Sequence, residues 1–284
     1  MNPYSNDKLR ALLPYPKREA NKYSRGRLVV VAGSSAYPGA ACLAALAGQR
    51  MGAGYTEVVT EEAAIAFVRI AGPSLVVRNE ATWAGPASVV SSPIRPCALA
   101  VGSGFDPDEG RSSGLLYRSL DGADAPVLVD GGALAALSSD EGRALCRERF
   151  LAGKQTVVTP HGGEAARLAA PLGLPCDDPS RLAMLLSLAY GVVVVLKGPD
   201  TWISDGEESY RMDEGTPALA KAGTGDVLAG MVGSLLAQGL DPFDACVLAT
   251  TLHARAARFA AQEQTSISVI PEDVIDLIFC TSLI

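Results

Sequence analysis

"LVVVAGSSAYPGAACLAALAG" occupies residues 28–48. It opens on an aliphatic run with no polar alternation, so both faces of the strand it forms must be covered. A glycine-bearing turn follows, then alanine and leucine at helical spacing. The same order recurs down the chain. Aliphatic runs stand at 56–60 (TEVVT), 97–102 (CALAVG), 126–131 (PVLVDG), 156–160 (TVVTP) and 192–198 (VVVVLKG), many closed by Gly, Pro or Asp. Helical patterns fill 39–52, 162–173, 179–191, 226–238, 242–262 and a short stretch after Pro271. Strands alternating with helices predict an α/β fold with a doubly wound, mostly parallel central sheet and helices on both faces. "TWISDGEESYRM" (201–212) predicts a β-hairpin turning at Asp205-Gly206 in a type I′ geometry. No linker interrupts the pattern, so residues 1–284 read as one domain, with 1–25 as a helical or irregular lead-in. Ligands of such sheets bind beyond the carboxyl ends of the strands, where the Gly and Asp residues gather.

The net charge of −7 argues against a general grip on nucleic acid or an anionic membrane. A local cluster of amides or lysines can still hold a small anion. The six cysteines, Cys42, Cys97, Cys146, Cys176, Cys246 and Cys280, form no C-x-x-C pair. Scattered in apolar company, they read as buried, reduced thiols. The first 22 residues hold no signal-like apolar core and the longest aliphatic run, VVVVL, cannot span a bilayer. A cytoplasmic protein is the expectation.

"AGTGDVLAG" (222–230) joins a glycine loop to an apolar helix. Gly223 and Gly225 let the backbone approach a ligand, and the helix start presents free amides and the positive end of its dipole. Phosphate or a developing oxyanion suits that place. Asp226 at the join either caps the helix or takes a proton from a hydroxyl that attacks a phosphoryl group. Neither a Walker P-loop nor a full G-x-G-x-x-G is present, since "GSGFDP" (102–107) and "GTGDVL" (223–228) lack the third glycine. The turn at 39–41 offers either a second phosphate loop or only a tight junction. In "VVTPHGGEAARL" (157–168), His161 stands at a strand end, placed to bond a ligand. Glu164 either caps the following helix or orients a water on Mg²⁺. His253, the other histidine, lies in an apolar helix and reads as structural. Lys197 ends a strand as a phosphate-binding point charge or a solvated lysine.

The ordered set "GRLVVVAGSSAYPGAA", "AVGSGF", "PVLVD", "TPHGGE", "VVVLKGPDT" and "AKAGTGDVLAGMVGSLLAQGLDP" resembles the ADP/ATP-dependent NAD(P)H-hydrate dehydratases of the ribokinase-like superfamily. The resemblance covers roughly residues 8–280 and includes the basic lead-in "NKYSRG". It implies ADP- or ATP-dependent repair of the S-form of hydrated NADH or NADPH. The ring hydroxyl is phosphorylated and phosphate is then eliminated, with Mg²⁺ bridging nucleotide phosphates. By the same resemblance, Asp226 is the base, and an acid near a helix start is expected to stay ionised. Ala40, Ala41, Gly104, His161 and Asp226 would line the hydrate pocket. Lys197, Gly198, Pro199, Asp200, Thr201, Thr224 and Gly225 would hold the adenine nucleotide, and Glu164 would act on the metal through water. A homo-oligomer and a separate epimerase are implied partners, since no epimerase region precedes the dehydratase motifs.

Two motifs depart from the family pattern. D-A-D-x-L-N becomes "DGGALA" (130–135), which keeps Asp130 but loses the second acid and the Asn, and H-P-G-E becomes "HGGE". Two other readings compete: a small-molecule kinase of the same superfamily, acting on a hydroxymethylpyrimidine, thiazole or pyridoxal alcohol, and a non-catalytic nucleotide sensor.

Overall fold

The aliphatic runs become one nine-stranded sheet in the computed structural model, which describes residues 4–279. Its strands are β1 (Arg27–Val31), β2 (Tyr55–Thr60), β3 (Val76–Asn79), β4 (Cys97–Val101), β5 (Val127–Val129), β6 (Thr156–Val158), β7 (Val193–Leu196), β8 (Thr201–Ser204) and β9 (Ser209–Met212). The spatial order is β3-β2-β1-β4-β5-β6-β7-β8-β9. Strands β3 through β7 are parallel, and β8 and β9 add an antiparallel edge.

Along each parallel strand, side chains alternate between two buried cores. Leu28 and Val30 enter one, Val29 and Val31 the other, so an unbroken aliphatic run is what a doubly covered strand requires. The first core is covered by α1 (Asn6–Leu12), α2 (Pro38–Arg50) and α3 (Glu62–Ala71). The second is covered by α4 (Gly110–Gly122), α5 (Ala133–Leu137), α6 (Asp140–Leu151), α7 (Gly162–Ala169) and α8 (Pro179–Tyr190). The chain then returns to the first face with α9 (Thr224–Ala237), α10 (Pro242–Glu263) and α11 (Pro271–Leu277). Helices α2 and α9 pack backbone to backbone: a β-carbon on Gly230 would fall 1.9 Å from the Ala44 carbonyl oxygen. Only glycine allows that approach, and it fixes the helix that carries Asp226 against the first βα unit.

Strand order reverses between β1 and β4, so the loops after them part and leave a crevice at the carboxyl edge. The opposite edge is closed by Arg149 of α6, whose side chain is buried. Its guanidinium donates to the carbonyls of Leu120, Ala123, Ala125 and Gln155 and to Thr156 Oγ1, at 2.6–3.0 Å.

Two expectations are corrected. The hairpin is not a two-residue type I′ turn: β8 and β9 close at the Ser204–Ser209 pair with four residues between. Of the two central residues expected to need positive φ, only Gly206 has it, at 94°. The Asp205 carboxylate accepts from the amides of Glu207 and Glu208 and shapes the wider turn instead. Among the cysteines, Cys42, Cys97, Cys146 and Cys246 are buried free thiols as expected, but Cys176 is exposed in the loop after α7. Cys280 lies outside the described residues. No helix among the described residues is long and apolar enough to cross a membrane.

Candidate functional site

Strand ends bring the polar residues together. After β1, the Gly33 amide (φ 79°) donates to the Ser103 carbonyl at 2.8 Å, tying that loop to the one after β4. Gly104 (φ 72°) lies against the start of α2: a β-carbon there would be 2.7 Å from Ala40 Cβ. Ala40 and Gly104 therefore meet where the loops after β1 and β4 converge. Ala41 does not present its side chain to a ligand, because its methyl is buried beneath Gly33.

After β5 comes Asp130, buried with 3% exposure. It accepts from Thr159 Oγ1 at 2.6 Å, from Lys197 Nζ at 2.9 Å and, at 3.5 Å, from Ser103 Oγ. Lys197 stands at the end of β7, its amide bonded to the Pro160 carbonyl. Burial alone would pull its ammonium pKa down. The carboxylates of Asp130, Glu164 and Asp226 outweigh burial and hold it above the ordinary lysine value.

Asp226 is the third residue of α9, whose start is made by Gly223 in the left-handed region (φ 96°). A β-carbon on Gly225 would lie 3.5 Å from Lys197 Nζ, so the ammonium sits beside the free amides of this helix start. Ser103, whose hydroxyl donates to Asp130, lies close enough to Asp226 to favour its ionised form. Contrary to the expectation of a strongly ionised acid, its pKa is pushed up to about 6. Burial is the main cause and the Asp130 charge adds to it, while Ser103 and Lys197 oppose it. A carboxylate so placed is mostly ionised at neutral pH yet basic enough to hold a proton, the condition for a general base.

His161 and Glu164 form a capping box at the head of α7. His161 Nδ1 accepts from the Gly163 amide at 3.0 Å, and Glu164 Oε2 accepts from the His161 amide at 2.7 Å. Accepting at Nδ1 places the neutral ring's proton on Nε2. The capping reading of Glu164 is thus realised.

A cavity of about 480 Å³ opens beside Lys197. Six of the seven expected nucleotide residues line it: Lys197, Gly198, Pro199, Thr201, Thr224 and Gly225. Asp200 does not, because its carboxylate turns to Arg211 on β9, 2.7 Å away. His161 lines this cavity and also a second one of about 390 Å³, which reaches Phe105, Gly132 and Glu164. The altered "DGGALA" turn borders the second cavity. A side chain could not be restored at residue 132, since a β-carbon on Gly132 would fall 2.1 Å from the Phe105 carbonyl oxygen. Two site features escaped sequence reasoning. Ser103 donates to Asp130 and influences Asp226, a juxtaposition that only the packing of separate loops reveals. His253 lines the nucleotide-sized cavity rather than serving as plain core.

A mostly parallel, doubly wound sheet with an antiparallel edge, and a helix start bearing an acid at its carboxyl side, make up a ribokinase-like fold. The chain belongs to the NAD(P)H-hydrate dehydratase family, which it matches over residues 28–279. It is 30% identical over 280 residues to the ADP-dependent (S)-NAD(P)H-hydrate dehydratase of Cenarchaeum symbiosum, covering 96% of this chain and 93% of that protein. It is 35% identical over 262 residues to the bifunctional NAD(P)H-hydrate repair enzyme Nnr of Mycobacterium leprae, covering 89% of this chain but 50% of that longer protein. The ADP/ATP-dependent NAD(P)H-hydrate dehydratase of Bacillus subtilis, co-crystallised with ATP and Mg²⁺, superposes with a TM-score of 0.78 at 28% identity. That match covers 96% of this chain and 95% of the other.

Proposed function

We propose that this protein dehydrates the S-form of hydrated NADH or NADPH at the expense of ADP or ATP. The adenine nucleotide lies in the cavity beside Lys197, its terminal phosphate against Lys197 and the amides at the head of α9. Asp226 removes the proton of the ring hydroxyl as its oxygen attacks that phosphate. The bond from the terminal phosphorus to the bridging oxygen breaks, and the nucleotide leaves one phosphate shorter. The ring's carbon–oxygen bond then breaks, inorganic phosphate departs, a neighbouring ring proton is lost, and the double bond returns. Lys197 and the helix amides neutralise charge that grows on the phosphoryl oxygens, where positioned donors contribute most.

Magnesium supplies further neutralisation when bound to the phosphates. Among the described residues no group of three or more His, Cys, Asp or Glu side chains gathers as a metal site. A magnesium ion therefore fits as one held largely by phosphate oxygens and waters. Glu164, bonded to the His161 amide but within the field of Lys197, is the carboxylate that would orient one of those waters. The reading carries with it a cytoplasmic location, a homo-oligomer, and an epimerase activity that interconverts the hydrate epimers.

What supports the proposal is Asp226 in the first turn of α9, near Lys197, with a carboxyl pKa that burial and the Asp130 charge raise to about 6. The test combines protein, Mg²⁺, ADP or ATP and hydrated NADH, and follows reduced-nicotinamide absorbance and inorganic phosphate together. Both should rise in step, and Asp226→Asn should lower the rate about 10²–10⁴-fold. A stable phosphorylated product without phosphate release would replace the proposal with a small-molecule kinase. Binding of both ligands without turnover, unchanged by Asp226→Asn, would replace it with a sensor.

A further inference from the structure

The loop from β9 to α9 walls one side of the 480 Å³ cavity with Gly215, Thr216, Pro217, Leu219 and Ala220. Its regular structure is one short 3₁₀ turn, Pro217–Leu219, so its shape depends on side-chain anchors. At the α9 end, Thr224 Oγ1 donates to the carbonyls of Leu219 and Lys221 at 2.8 and 2.9 Å. At the β9 end the anchor is Glu214. Arg255 of α10 grips its carboxylate with two bonds, Nη2 to Oε1 at 2.6 Å and Nε to Oε2 at 2.8 Å. Arg258, 3.6 Å from Oε2, adds a second cation. Arg255 Nη1 also donates to Asn6 Oδ1 of α1 at 3.0 Å, which helps to fix the guanidinium.

Exposed ion pairs contribute little, but these side chains are only 18% and 28% exposed, and a planar fork fixes direction as well as distance. Arg255 and Glu214 stand behind the cavity lining rather than in it. The neighbour of Glu214 does line it. Gly215 lies against the Pro199 turn, part of the same lining, where a β-carbon on Gly215 would fall 2.3 Å from the Pro199 carbonyl oxygen. The direction of Glu214 thus sets how the two walls meet. We propose that Arg255 is a positioning residue for the nucleotide: its fork on Glu214 holds the β9–α9 loop against the Pro199 turn in the binding conformation. This rests on the reading that the cavity holds the nucleotide co-substrate. With the fork broken, the loop must be ordered at the moment of binding, and that cost lowers affinity. Lys197 follows β7 and Asp226 lies in α9, both outside the loop, so the chemical step is spared once nucleotide is bound.

The experiment measures the Kd of ADP by calorimetry with Mg²⁺, and kcat and both KM values in the absorbance and phosphate assay, for wild type, Arg255→Gln, Glu214→Gln and the double variant. Each single variant should weaken ADP, in Kd and in KM, about 5–30-fold, with kcat and the KM of the hydrate within about 2-fold of wild type. The double variant should bind ADP within about 2-fold of the singles, because both substitutions break one fork. Hydrogen exchange over residues 213–223 should quicken in free Arg255→Gln and slow again with saturating ADP, a response that general destabilisation does not give. Thermal melts establish that each variant is folded, and Glu214→Gln keeps the test available should Arg255→Gln not fold. Unchanged ADP affinity in the single variants would leave the pair a structural one and overturn the proposal. Losses that multiply in the double variant, or a fall in kcat at unchanged affinity, would also overturn it. Failure of wild type to bind ADP would overturn the nucleotide reading itself. Wild type that binds ADP without turnover would remove only the dehydratase reading, and the calorimetric comparison would still decide for or against Arg255.

Discussion

Each edge of the sheet buries a cation, and the two are treated in opposite ways. At the amino edge, Arg149 meets neutral acceptors only: four peptide carbonyls and a threonine hydroxyl. At the carboxyl edge, Lys197 meets ionisable ones, paired with Asp130 and within the field of Glu164 and Asp226. Peptide carbonyls cannot change protonation state, so the first arrangement is a fixed clamp between the α4–β5 and α6–β6 connections. Carboxylates can take up protons, so the second stores charge that a substrate, a pH change or a transferred proton can rearrange. The difference separates an edge built for stability from one built for chemistry.

The largest expected effect falls at the clamp. Arg149→Met strands its carbonyl partners and should cost about 3–5 kcal/mol of unfolding free energy. Denaturant titration should give the same loss at pH 5 and pH 8. Lys197→Met should lower turnover about 10²–10³-fold by removing a donor from the phosphoryl site. Its stability loss should be smaller than that of Arg149→Met and should shrink at pH 5, where an unpaired carboxylate is relieved by protonation. Equal, pH-independent losses for both variants would erase the contrast between the edges.

Asp226 gives a smaller effect with the opposite sign. Its carboxyl has a folded pKa of about 6 against an ordinary 3.8. Between those values the folded state binds more protons than the unfolded chain, so stability falls as pH rises through this window. The penalty is complete above about pH 6 and absent below about pH 4. Asp226→Asn removes the ionisable group and should be inactive yet more stable than wild type at pH 8, by about 1–3 kcal/mol. The gain should vanish at pH 4. A variant less stable than wild type at pH 8 would mean that Asp226 is held by more favourable contacts than Ser103 and Lys197.

Much of this was legible in the sequence because both-sided strands leave unbroken aliphatic runs. All six runs read as strands are strands, and Gly223-Thr224-Gly225-Asp226 marks a helix head. β3 escaped notice because Val76–Asn79 lies near the sheet's margin and mixes Arg78 and Asn79 into a short segment. Helices α4 and α6 were hidden by polar outer faces, seen in "GRSSGLLYRSLDG" and "DEGRALCRERFL". Within the site, sequence motifs group residues that are neighbours in the chain, but they do not reveal pairings between loops. Asp200 was assigned to the nucleotide by its neighbours in sequence, yet hairpin register sets Arg211 beside it. The upward shift of Asp226 has the same origin, since it comes first from burial and then from Asp130, 96 positions away in the chain, and both arise only through folding.

The finest expected effect turns on that last pair. Asp130 raises the proton affinity of Asp226, and Lys197 lowers it. In the pH profile of kcat/KM, wild-type activity should fall as pH drops through about 6, where the base becomes protonated. Asp130→Asn removes one negative neighbour and frees the Lys197 ammonium from its paired carboxylate, so the acid limb should move down by roughly half a pH unit or more. The amide still accepts from Lys197 and Thr159, which keeps the geometry. Lys197→Met removes the positive neighbour and should move the same limb up. Opposite displacements tie the limb to one carboxylate lying between two charges. Displacement of both in the same direction would assign it to another group, and the proton taken from the hydroxyl would have to be placed elsewhere.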